Sequence, residues 1–523
     1  MPTRFLSRAE LARLGAFPEA IDPDDLAEHF RLSGDDLEFV RAQRGAGNQL
    51  GIALQLCALR WLGFIPEDLA GAPAAAVESL AVALDVPARA VFDYAVRSST
   101  WREHRLAVRA HTGWRAFGDP EAEEFRAWLA ELALEHDRPA FLFTRACEEL
   151  RGRRTERPAI DRLIRLVAWA RERAHERTFE LLAAQLTEPV CASLDALLAP
   201  DASSKRARTP LSWLRSRPTT VSAGALRGEL QKREYLIERV GADRLELSAL
   251  PPTRRALLAQ QGRRSTSQAL GRLEAQRRYP ALACFCSETL ERSTDDAVEV
   301  FDRALGTADR RAQRKRDELR RRHSRDTQST LRRFIDVTRL LLEARESNTD
   351  VFGLIDRRIG LERLSQDLQL AERIVRPTAD THLDLLITDD DHSRKMLGEL
   401  NAALTFHRTG QDDDELLRAL RLIAELAGTN RRWLPGFSPN AVIDGRWRPL
   451  VADVSRGRLD RRGYELCAAF ELRTALRAGR VWVEGSRRHA DPASYLLPEE
   501  KWRPFRVEFA ARVRQPLQAH RTR

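Results

Sequence analysis

Two runs of consecutive aspartates are the residues whose type and position could support metal chemistry. Asp389–Asp391 follow the short apolar run Leu383–Ile387, and two-metal nucleases hold magnesium with carboxylates at such strand ends. Asp412–Asp414 precede a helical pattern that begins near Leu416. Because no further strands supply the other ligands, we predict a polar turn at the first run and helix capping at the second. We therefore expect no catalytic residue, no metal ligand and no cofactor in this chain.

Other motifs that carry chemistry are missing from the sequence. Gly45, Gly47 and Gly51 are one residue too widely spaced for GxGxxG and follow a charged helical stretch, which argues against dinucleotide binding. The phosphate-loop, serine-hydrolase, zinc-protease and kinase patterns do not occur. The 11 histidines do not cluster at metal spacing. The six cysteines are scattered without a CxxC pair, so we predict reduced core residues.

The basic residues are nearly all arginine. Of 87 basic residues, 82 are arginine, and with 77 acidic residues the net charge is +10 and the pI about 9.7. A GC-rich genome can produce this bias without a functional cause. Guanidinium groups nevertheless bind phosphates through paired hydrogen bonds and stack on bases. The composition is therefore compatible with double-stranded DNA as a partner, but by itself it does not decide between DNA binding and a compositional bias.

The segment Ser33–Pro66 has the outline of a helix-turn-helix. Ser33 can cap a first helix, Gly45–Asn48 breaks the chain, and a second helix from Gln49 to Leu62 stops at Gly63. The alternative is an ordinary helical hairpin, which is commoner. The cations available to a phosphate in this segment are Arg41, Arg44 and Arg60.

A second helix pair spans Pro87–Phe117. We predict Thr100 as the N-cap of a helix that stops at Gly113. This helix interleaves cations with aromatic rings, which suits DNA because charges neutralise phosphates while planar groups approach sugars and base edges. The alternative is a solvated helix face. The predicted DNA contacts are Trp101, Arg102, His104, Arg105, Arg109 and Arg115.

The elements that must position these residues are mostly helices. Apolar residues recur at helical spacing along the 523-residue chain, as at Leu50, Leu54 and Cys57, and only His382–Ile387 and Arg480–Val483 read as short strands. We predict a mainly α, multi-domain protein with helix-turn-helix-like N-terminal units and few short strands near the C-terminus. No apolar run reaches the ~18 residues of a membrane span, so we expect a cytosolic protein without a membrane partner.

Many short stretches of the sequence together carry a resemblance to a known family. These stretches are Arg4–Ser7, Leu14–Pro18, Ile21–Leu26, His29–Phe30, Leu32–Ser33, Asn48–Gly51, Leu54–Cys57, Leu59–Phe64, Thr100–His104, Pro210–Leu214, Arg254–Arg264, Arg461–Leu466, Gly479–Arg488 and Tyr495–Pro498. In this order they resemble transposases of the Tn-three family, which begin with an N-terminal domain often catalogued as one of unknown function.

The resemblance implies a function in DNA transposition. Members of this family cut transposon ends with an RNase-H-like domain that holds magnesium through two aspartates and a glutamate. That catalytic half lies beyond the region matched by Val481–Pro498, so we expect this chain, which ends at Arg523, to lack it. The chain would instead recognise the terminal inverted repeats and help to pair two ends. Further expected contacts in the basic stretches Lys205–Arg217 and Arg254–Arg264 are Lys205, Arg206, Arg208, Arg215, Arg217, Arg254, Arg255, Arg263 and Arg264.

We predict five segments along the chain. Residues 1–157 are an N-terminal DNA-binding domain with two helix-turn-helix-like units, 158–210 a helical connector and basic linker, and 211–290 a further helical DNA-binding domain. Residues 291–376 are a long charged helix for bridging or dimerisation, and 377–523 a scaffold region. The stretch Asp309–Thr330 is polar all round, as in a solvated connecting helix or one that follows phosphates or bridges to a partner.

Two alternatives remain open beside a DNA-binding module. One alternative is that the chain is half of a split active transposase, in which the Asp389–Asp391 carboxylates or a separate chain supply the nuclease activity. The other alternative is a helical interaction protein or dominant-negative regulator that self-associates or pairs with the full-length enzyme. The DNA-binding interpretation requires that the arginines form a positive face rather than internal ion pairs.

Overall fold

The computed structural model describes residues 7–94, 98–200, 208–347, 349–374, 382–410, 415–435, 443, 445–496, 500 and 502–503. Helices dominate these residues, which confirms the mainly α class. Contacts group the chain into two compact units. Unit 1 comprises Met1–Thr209 and Arg244–Phe285, and unit 2 comprises Pro210–Asp243 and Cys286–Arg523. The division into five segments stays a prediction. Lys205, Arg206 and Asp412–Asp414 lie outside the described residues.

Helices make up most of the secondary structure, and the few strands are short and lie beyond residue 400. Up to residue 200 the helices are α1 Arg8–Gly15, α2 Pro23–His29, α3 Gly34–Arg41, α4 Ala46–Leu62, α5 Ala74–Leu84, α6 Ser98–Thr112, α7 Asp119–Glu135, α8 Pro139–Gly152, α9 Ile160–Leu182 and α10 Glu188–Ala196. Beyond it they are α11 Pro210–Arg215, α12 Ala223–Tyr235, α13 Pro252–Arg264, α14 Ser267–Gly271, α15 Ala275–Ser347, α16 Val351–Arg358, α17 Leu361–Ile374, α18 Leu383–Asp389, α19 Asp391–Ala403, α20 Glu415–Glu425, α21 Arg448–Val451 and α22 Arg461–Arg477. The strands are β1 Phe406–Arg408, β2 Trp433–Pro435, β3 Ala452–Asp453, β4 Arg458–Asp460 and β5 Val481–Val483.

The first predicted helix pair is present as α3 and α4. Ser33 caps α3 as predicted: its Oγ accepts from the backbone N–H of Asp36 at 3.2 Å, and Asp36 Oδ2 accepts from the Ser33 N–H at 2.9 Å. The second helix begins at Ala46, three residues earlier than predicted, and stops at Gly63, whose φ of 77° needs the conformational freedom of glycine.

Helix α4 is buried on all sides, and this corrects the helix-turn-helix interpretation. Every residue from Leu50 to Leu59 is buried, including Ile52 and Leu56, which lie outside the apolar stripe seen in the sequence. A recognition helix must expose one face to the major groove. Because α4 is buried all round from Leu50 to Leu59, it forms the centre of the N-terminal core, and this part of it has no face for DNA.

Helices α7, α8 and α9 bury a separate apolar cluster in unit 1, around Leu129, Phe143 and Val167. A further cluster joins the end of α9 to α13 and to the first residues of α15 through Leu182, Leu258 and Ala281. Of these helices, α13 carries the predicted DNA-contacting arginines Arg254, Arg255, Arg263 and Arg264.

Unit 2 is built around α12, α19, α20, α22 and the part of α15 that follows Phe285. Two small antiparallel sheets lie in this unit. Strand β1 pairs with β5, with Phe406 opposite Val483, and the second sheet has the order β2–β4–β3. Strand β5 confirms the strand predicted at Arg480–Val483.

The strand predicted at His382–Ile387 is wrong, because these residues enter helix α18. Leu383 and Leu386 are three positions apart and both are buried, so one helical face carries them into the core. A short apolar run fits a buried strand and a helix equally well, and in α18 the contacts with the core select the helix.

The aspartate run Asp389–Asp391 forms the connection between α18 and α19, in agreement with the predicted polar turn. Asp389 accepts from Lys315 Nζ at 2.6 Å, Asp390 caps α19 by accepting from the Ser393 N–H at 3.1 Å, and Asp391 accepts from Arg394 Nη1 at 2.7 Å. Within the residues that the structure describes, no three His, Cys, Asp or Glu side chains are grouped to hold a metal ion.

Two expectations from composition can be compared with the structure. Four of the six free cysteines, Cys57, Cys284, Cys286 and Cys467, are buried, as predicted for core residues. Burial raises the pKa of the Cys57 thiol to about 12. Of the helices formed by the described residues, none is both long and apolar enough to cross a membrane.

The glycines of the near-miss motif serve helix packing. A Cβ on Gly47 would lie 3.0 Å from the Ala90 carbonyl oxygen, and a Cβ on Gly51 would lie 2.0 Å from Tyr94 Cδ2. The absent side chains therefore allow α4 to approach the 3₁₀ helix Ala88–Asp93 and the tyrosine that follows it.

We expect Gly51→Ala to lower the free energy of unfolding by roughly 2 kcal/mol, because the Tyr94 ring is held by neighbours and cannot move aside. Urea denaturation of the whole chain measures the change. Gly34→Ala is the matched control, since nothing lies within 4 Å of its Cβ position, and we expect it to stay within about 0.5 kcal/mol of the parent protein. Equal stability of the two variants would contradict this account.

Candidate nucleic-acid interface

Helix α6 carries five of the predicted DNA contacts of unit 1 and has two distinct faces. Arg102 and Leu106, four positions apart, are exposed, and the Leu106 side chain is 59% exposed. His104 and Val108 are buried on the opposite face. An exposed arginine beside an exposed leucine matches the mixture of phosphate and thymine-methyl contacts that base-reading helices make.

The ends of α6 differ partly from the prediction. The helix begins at Ser98, so Thr100 lies inside the first turn and is not the N-cap. The predicted stop is confirmed: α6 ends at Thr112, and Gly113 follows with a φ of 69°.

Glu156 fixes α6 through two arginines that the sequence analysis assigned to DNA. Arg105 Nε donates to Glu156 Oε1 at 2.8 Å, and Arg109 Nη1 donates to Glu156 Oε2 at 3.2 Å. The Glu156 side chain is only 2% exposed, and its backbone N–H donates to the carbonyl oxygen of Arg115 at 2.9 Å. Because a buried carboxylate must keep its partners, Arg105 and Arg109 serve first to hold the helix in place.

Asp36 is a second buried carboxylate, and it explains the position of Arg60. Arg60 forms two hydrogen bonds to Asp36, at 2.8 and 2.9 Å, and His111 Nε2 lies 2.8 Å from Asp36 Oδ1. Burial alone would raise the pKa of Asp36, but hydrogen bonds from Arg60, the Ser33 N–H and His111 outweigh burial and hold it well below its usual range. Arg60 thus joins α4 to α3 and is not available to phosphate, which corrects its prediction.

His104 is also removed from the predicted contacts. Its side chain is buried, and Nδ1 lies 3.0 Å from the hydroxyl of Tyr94, which in turn accepts from Gln55 Nε2 at 3.0 Å. Burial lowers the pKa of His104, so the ring is neutral and cannot attract a phosphate. Trp101 is half-buried, with the Arg105 guanidinium 5.3 Å from its ring centroid.

Arg254 on α13 is the clearest contradiction of a predicted DNA contact. Its side chain is fully buried, its Nε donates to Thr178 Oγ1 at 3.1 Å, and its Nη2 lies 2.9 Å from His175 Nδ1. Burial and the neighbouring Arg254 charge lower the pKa of His175 to about 4, so that ring is a neutral acceptor. Arg254 therefore joins α13 to α9.

The other predicted arginines fall into two groups by exposure. Burial lowers the pKa of the half-buried Arg215. The half-buried residues are Arg215, Arg255 and Arg263. The exposed residues are Arg41, Arg44, Arg102, Arg115, Arg208, Arg217 and Arg264.

Sequence reasoning missed the two acidic residues that organise this region. Neither Asp36 nor Glu156 is among the residues to which the sequence analysis gave a function. The spacing of Arg105 and Arg109, four positions apart on one helix face, is a signal for a shared carboxylate. Nothing in the sequence indicates that the carboxylate is Glu156, 47 positions beyond Arg109.

Comparison with known proteins agrees with the resemblance found in the sequence. Residues 5–170 match the family model described as a domain of unknown function (DUF4158). This domain contains the α3, α4 and α6 region and the contact of Glu156 with α6.

The particular relatives are all named as transposases. The chain is 31% identical to the transposase for transposon Tn501 of Pseudomonas aeruginosa over 98% of its own length and 51% of the relative. It is 29% identical to the transposase for transposon gamma-delta of Escherichia coli (strain K12), over 99% of this chain and 51% of the relative. For the transposase for transposon Tn1546 of Enterococcus faecium, the values are 26%, 92% and 49%. The chain is thus homologous to transposases along nearly its whole length, and it spans about half the length of the curated relatives it matches.

Arg254 and Arg264 both lie on α13, one buried and one exposed, so replacing each in turn measures what the buried contacts contribute to stability. We expect Arg254→Gln to lower the free energy of unfolding by roughly 3 kcal/mol, because it removes charged hydrogen bonds and leaves Thr178 and His175 buried without a donor. Arg264→Gln, on the same helix but exposed, should change it by less than about 0.5 kcal/mol. Urea denaturation measures both, and an Arg254 variant as stable as the Arg264 variant would show that the buried contacts contribute nothing.

Proposed function

We propose that this chain is the DNA-binding and assembly portion of a Tn-three family transposase, and that it recognises the terminal inverted repeats of its transposon. The observation that carries the proposal is the similarity to transposases over 92–99% of the chain. The net charge of +10, with nearly all of the basic residues arginine, supports a nucleic-acid partner. Such a protein acts in the bacterial cytosol, at the nucleoid.

The phosphate contacts in this proposal come from the exposed arginines. Arg41 and Arg44 flank the turn between α3 and α4, and Arg102 lies on the outer face of α6. Within the described part of unit 1, these three side chains are exposed and form no ion pair with a carboxylate. Their charge is therefore available to a phosphate without breaking an internal contact, unlike that of Arg60, Arg105 or Arg109.

The proposal assigns no catalytic step to this chain. Asp389 and Asp391 are each paired with a cation, and Asp390 caps a helix, so all three carboxylates of the acidic run already have structural partners. A split transposase, in which a separate chain supplies the metal-binding carboxylates, is compatible with this assignment. We favour the DNA-binding function because the exposed charges of Arg41, Arg44 and Arg102 are not used in ion pairs with described carboxylates.

Titration with duplex DNA tests the proposal. We expect the wild-type chain to bind a fluorescent duplex with a dissociation constant that rises steeply with salt, because each phosphate contact releases a counterion. Arg41→Gln, Arg44→Gln and Arg102→Gln together should lower the slope of log affinity against log salt by about 2.7, at ~0.9 per contact. Fluorescence anisotropy at several salt concentrations measures the slope.

The matched control removes three arginines that are already paired with glutamates on their own helices. Arg126, Arg173 and Arg177 each donate to a glutamate three residues away. Replacing these three by glutamine changes the net charge equally and should leave the slope nearly unchanged. A wild-type affinity that does not depend on salt would refute DNA binding, and equal slopes for both triple variants would refute the assignment of the contacts.

A specific surface of unit 2 supports a second function, self-association. Helix α15 exposes Leu331, Phe334, Ile335 and Leu342, which are 42–67% exposed although they are apolar. Leu331, Ile335, Thr338 and Leu342 repeat at spacings of four, three and four residues, as in a coiled-coil seam. We propose that this exposed seam pairs with the same seam of a second copy of the chain.

The residues beside the exposed seam favour a second copy over an unrelated partner. Arg332, Asp336, Arg339 and Glu343 follow one edge of the seam, all exposed, with alternating charge. When two identical helices pair in antiparallel orientation, each cation can face an anion of the other copy. The opposite side of the helix, with Leu340 and Ala344, is already buried.

We expect Ile335→Glu and Leu342→Glu each to raise the dimer dissociation constant roughly 30-fold, because a charge placed in an apolar seam loses about 2 kcal/mol of contact energy. Sedimentation velocity over a concentration series measures the dissociation constant. Val82→Glu and Val454→Glu, at apolar residues that are 83% and 85% exposed outside the seam, are the controls. A parent chain that stays monomeric at high concentration, or controls that dissociate equally, would contradict the assignment.

A further inference from the structure

The turn that follows strand β5 in unit 2 holds two adjacent arginines on a fixed backbone. We call residues Ser486–His489 the arginine turn. Gly485 enters it with a φ of 72°, the Ser486 N–H donates to the Val483 carbonyl at 3.1 Å, and the Val483 N–H donates to the His489 carbonyl at 2.8 Å. The turn is thereby closed on itself by backbone hydrogen bonds.

A buried carboxylate of α15 holds the arginine turn through hydrogen bonds. Asp295 is 5% exposed, and its Oδ1 accepts from Ser486 Oγ at 2.6 Å and from the backbone N–H groups of Arg487 and Arg488 at 3.0 and 3.1 Å. A carboxylate in this position would be very costly without such donors, so the three contacts form as a set. Tyr495 adds a hydrogen bond from its hydroxyl to the Arg487 carbonyl.

These contacts use the backbone of the two arginines and leave their side chains exposed. Arg487 and Arg488 are both exposed. The acidic and histidine groups in and near the turn include Glu484, His489, Asp491, Asp295, Glu299 and Asp302. Asp295 is already satisfied by its three donors, burial lowers the pKa of His489 and keeps it neutral, and Glu484 lies 3.4 Å from His407. The turn therefore presents two adjacent guanidinium groups, and hydrogen bonds to Asp295 hold the backbone of both residues.

An aromatic pair lies on the strands that lead into the turn. His407 of β1 and Trp482 of β5 face each other across the sheet, and their rings stack with centroids 4.2 Å apart. Val481 and Val483, on the other face of β5, are buried in the core. Both rings are half-buried, and aromatic side chains can stack on nucleic-acid bases.

We propose that the arginine turn is a further DNA-contacting site, in which Arg487 and Arg488 bind backbone phosphates of a duplex and Asp295 is the positioning residue. The inference rests on the proposed DNA-binding function and extends it to unit 2, where neither arginine was assigned by the sequence analysis. Phosphates are the ligand that fits, because arginine binds them through paired hydrogen bonds and a duplex offers them along an open surface.

The salt dependence of DNA affinity tests the site. Arg487→Gln with Arg488→Gln should lower the slope of log affinity against log salt by about 1.8 for a fluorescent random-sequence duplex, at ~0.9 per phosphate contact. Arg487→Lys with Arg488→Lys should keep most of the slope, because the charges remain. The control pair Arg173→Gln with Arg177→Gln changes the net charge equally but removes arginines paired with glutamates, and should leave the slope unchanged.

Asp295→Asn tests the positioning. This variant raises the net charge by one unit, so the DNA affinity should increase if it depends on net charge alone. We expect instead a smaller salt slope, and no additional loss when Asp295→Asn is combined with the double glutamine variant, because both changes affect the same contacts. Additive losses, or tighter binding by Asp295→Asn, would overturn the assignment. The double glutamine variant decides the question without Asp295→Asn if that protein fails to fold.

Failure of this inference is distinguishable from failure of the proposed function. If the wild-type chain shows no salt-dependent binding, the DNA-binding function is wrong. If the wild type binds and the Arg41, Arg44 and Arg102 variants weaken binding, while the Arg487 and Arg488 variants match the control pair, only the arginine turn is wrong.

Discussion

The burial of helix α4 is the constraint on which the N-terminal part of unit 1 depends. Because α4 is buried on every side from Leu50 to Leu59, other elements must surround it: α3, α5, α6 and the 3₁₀ helix at Ala88–Asp93. The cations of this region are consequently placed on the surrounding helices and their connections. The surface available to a ligand is the outside of this shell, and α6 with Arg102 and Leu106 is part of it.

Some arginines of this chain neutralise buried carboxylates and others present an exposed charge. Which of the two an arginine does depends on whether a buried carboxylate lies near it. Where a carboxylate is buried, as at Asp36 or Glu156, arginines must neutralise it, and they join helices that are distant in sequence. Where no such carboxylate is near, as at Arg102, the charge is exposed. In the arginine turn the two purposes are divided within a residue: the backbone N–H binds Asp295 and the side chain is exposed.

Local signals in the sequence predicted local structure well and predicted long-range partners poorly. The Ser33 cap, the stops at Gly63 and Gly113 and the strand at β5 follow from residues within one turn of each other, and all four are confirmed. The burial of Arg254 and His104 and the pairing of Arg60 depend on side chains from other helices, which spacing along the chain cannot reveal. The short run at α18 was misassigned because packing, not pattern, selects its conformation.

The low pKa of Asp36 makes the stability of this region sensitive to acid. Its carboxylate titrates at lower pH when folded than when unfolded, so the stabilisation it provides is complete above its unfolded pKa and disappears as pH falls through the folded value. Acidification would thus neutralise the carboxylate that joins α3 to α4, and the hydrogen bonds that Arg60 and His111 make to it would weaken.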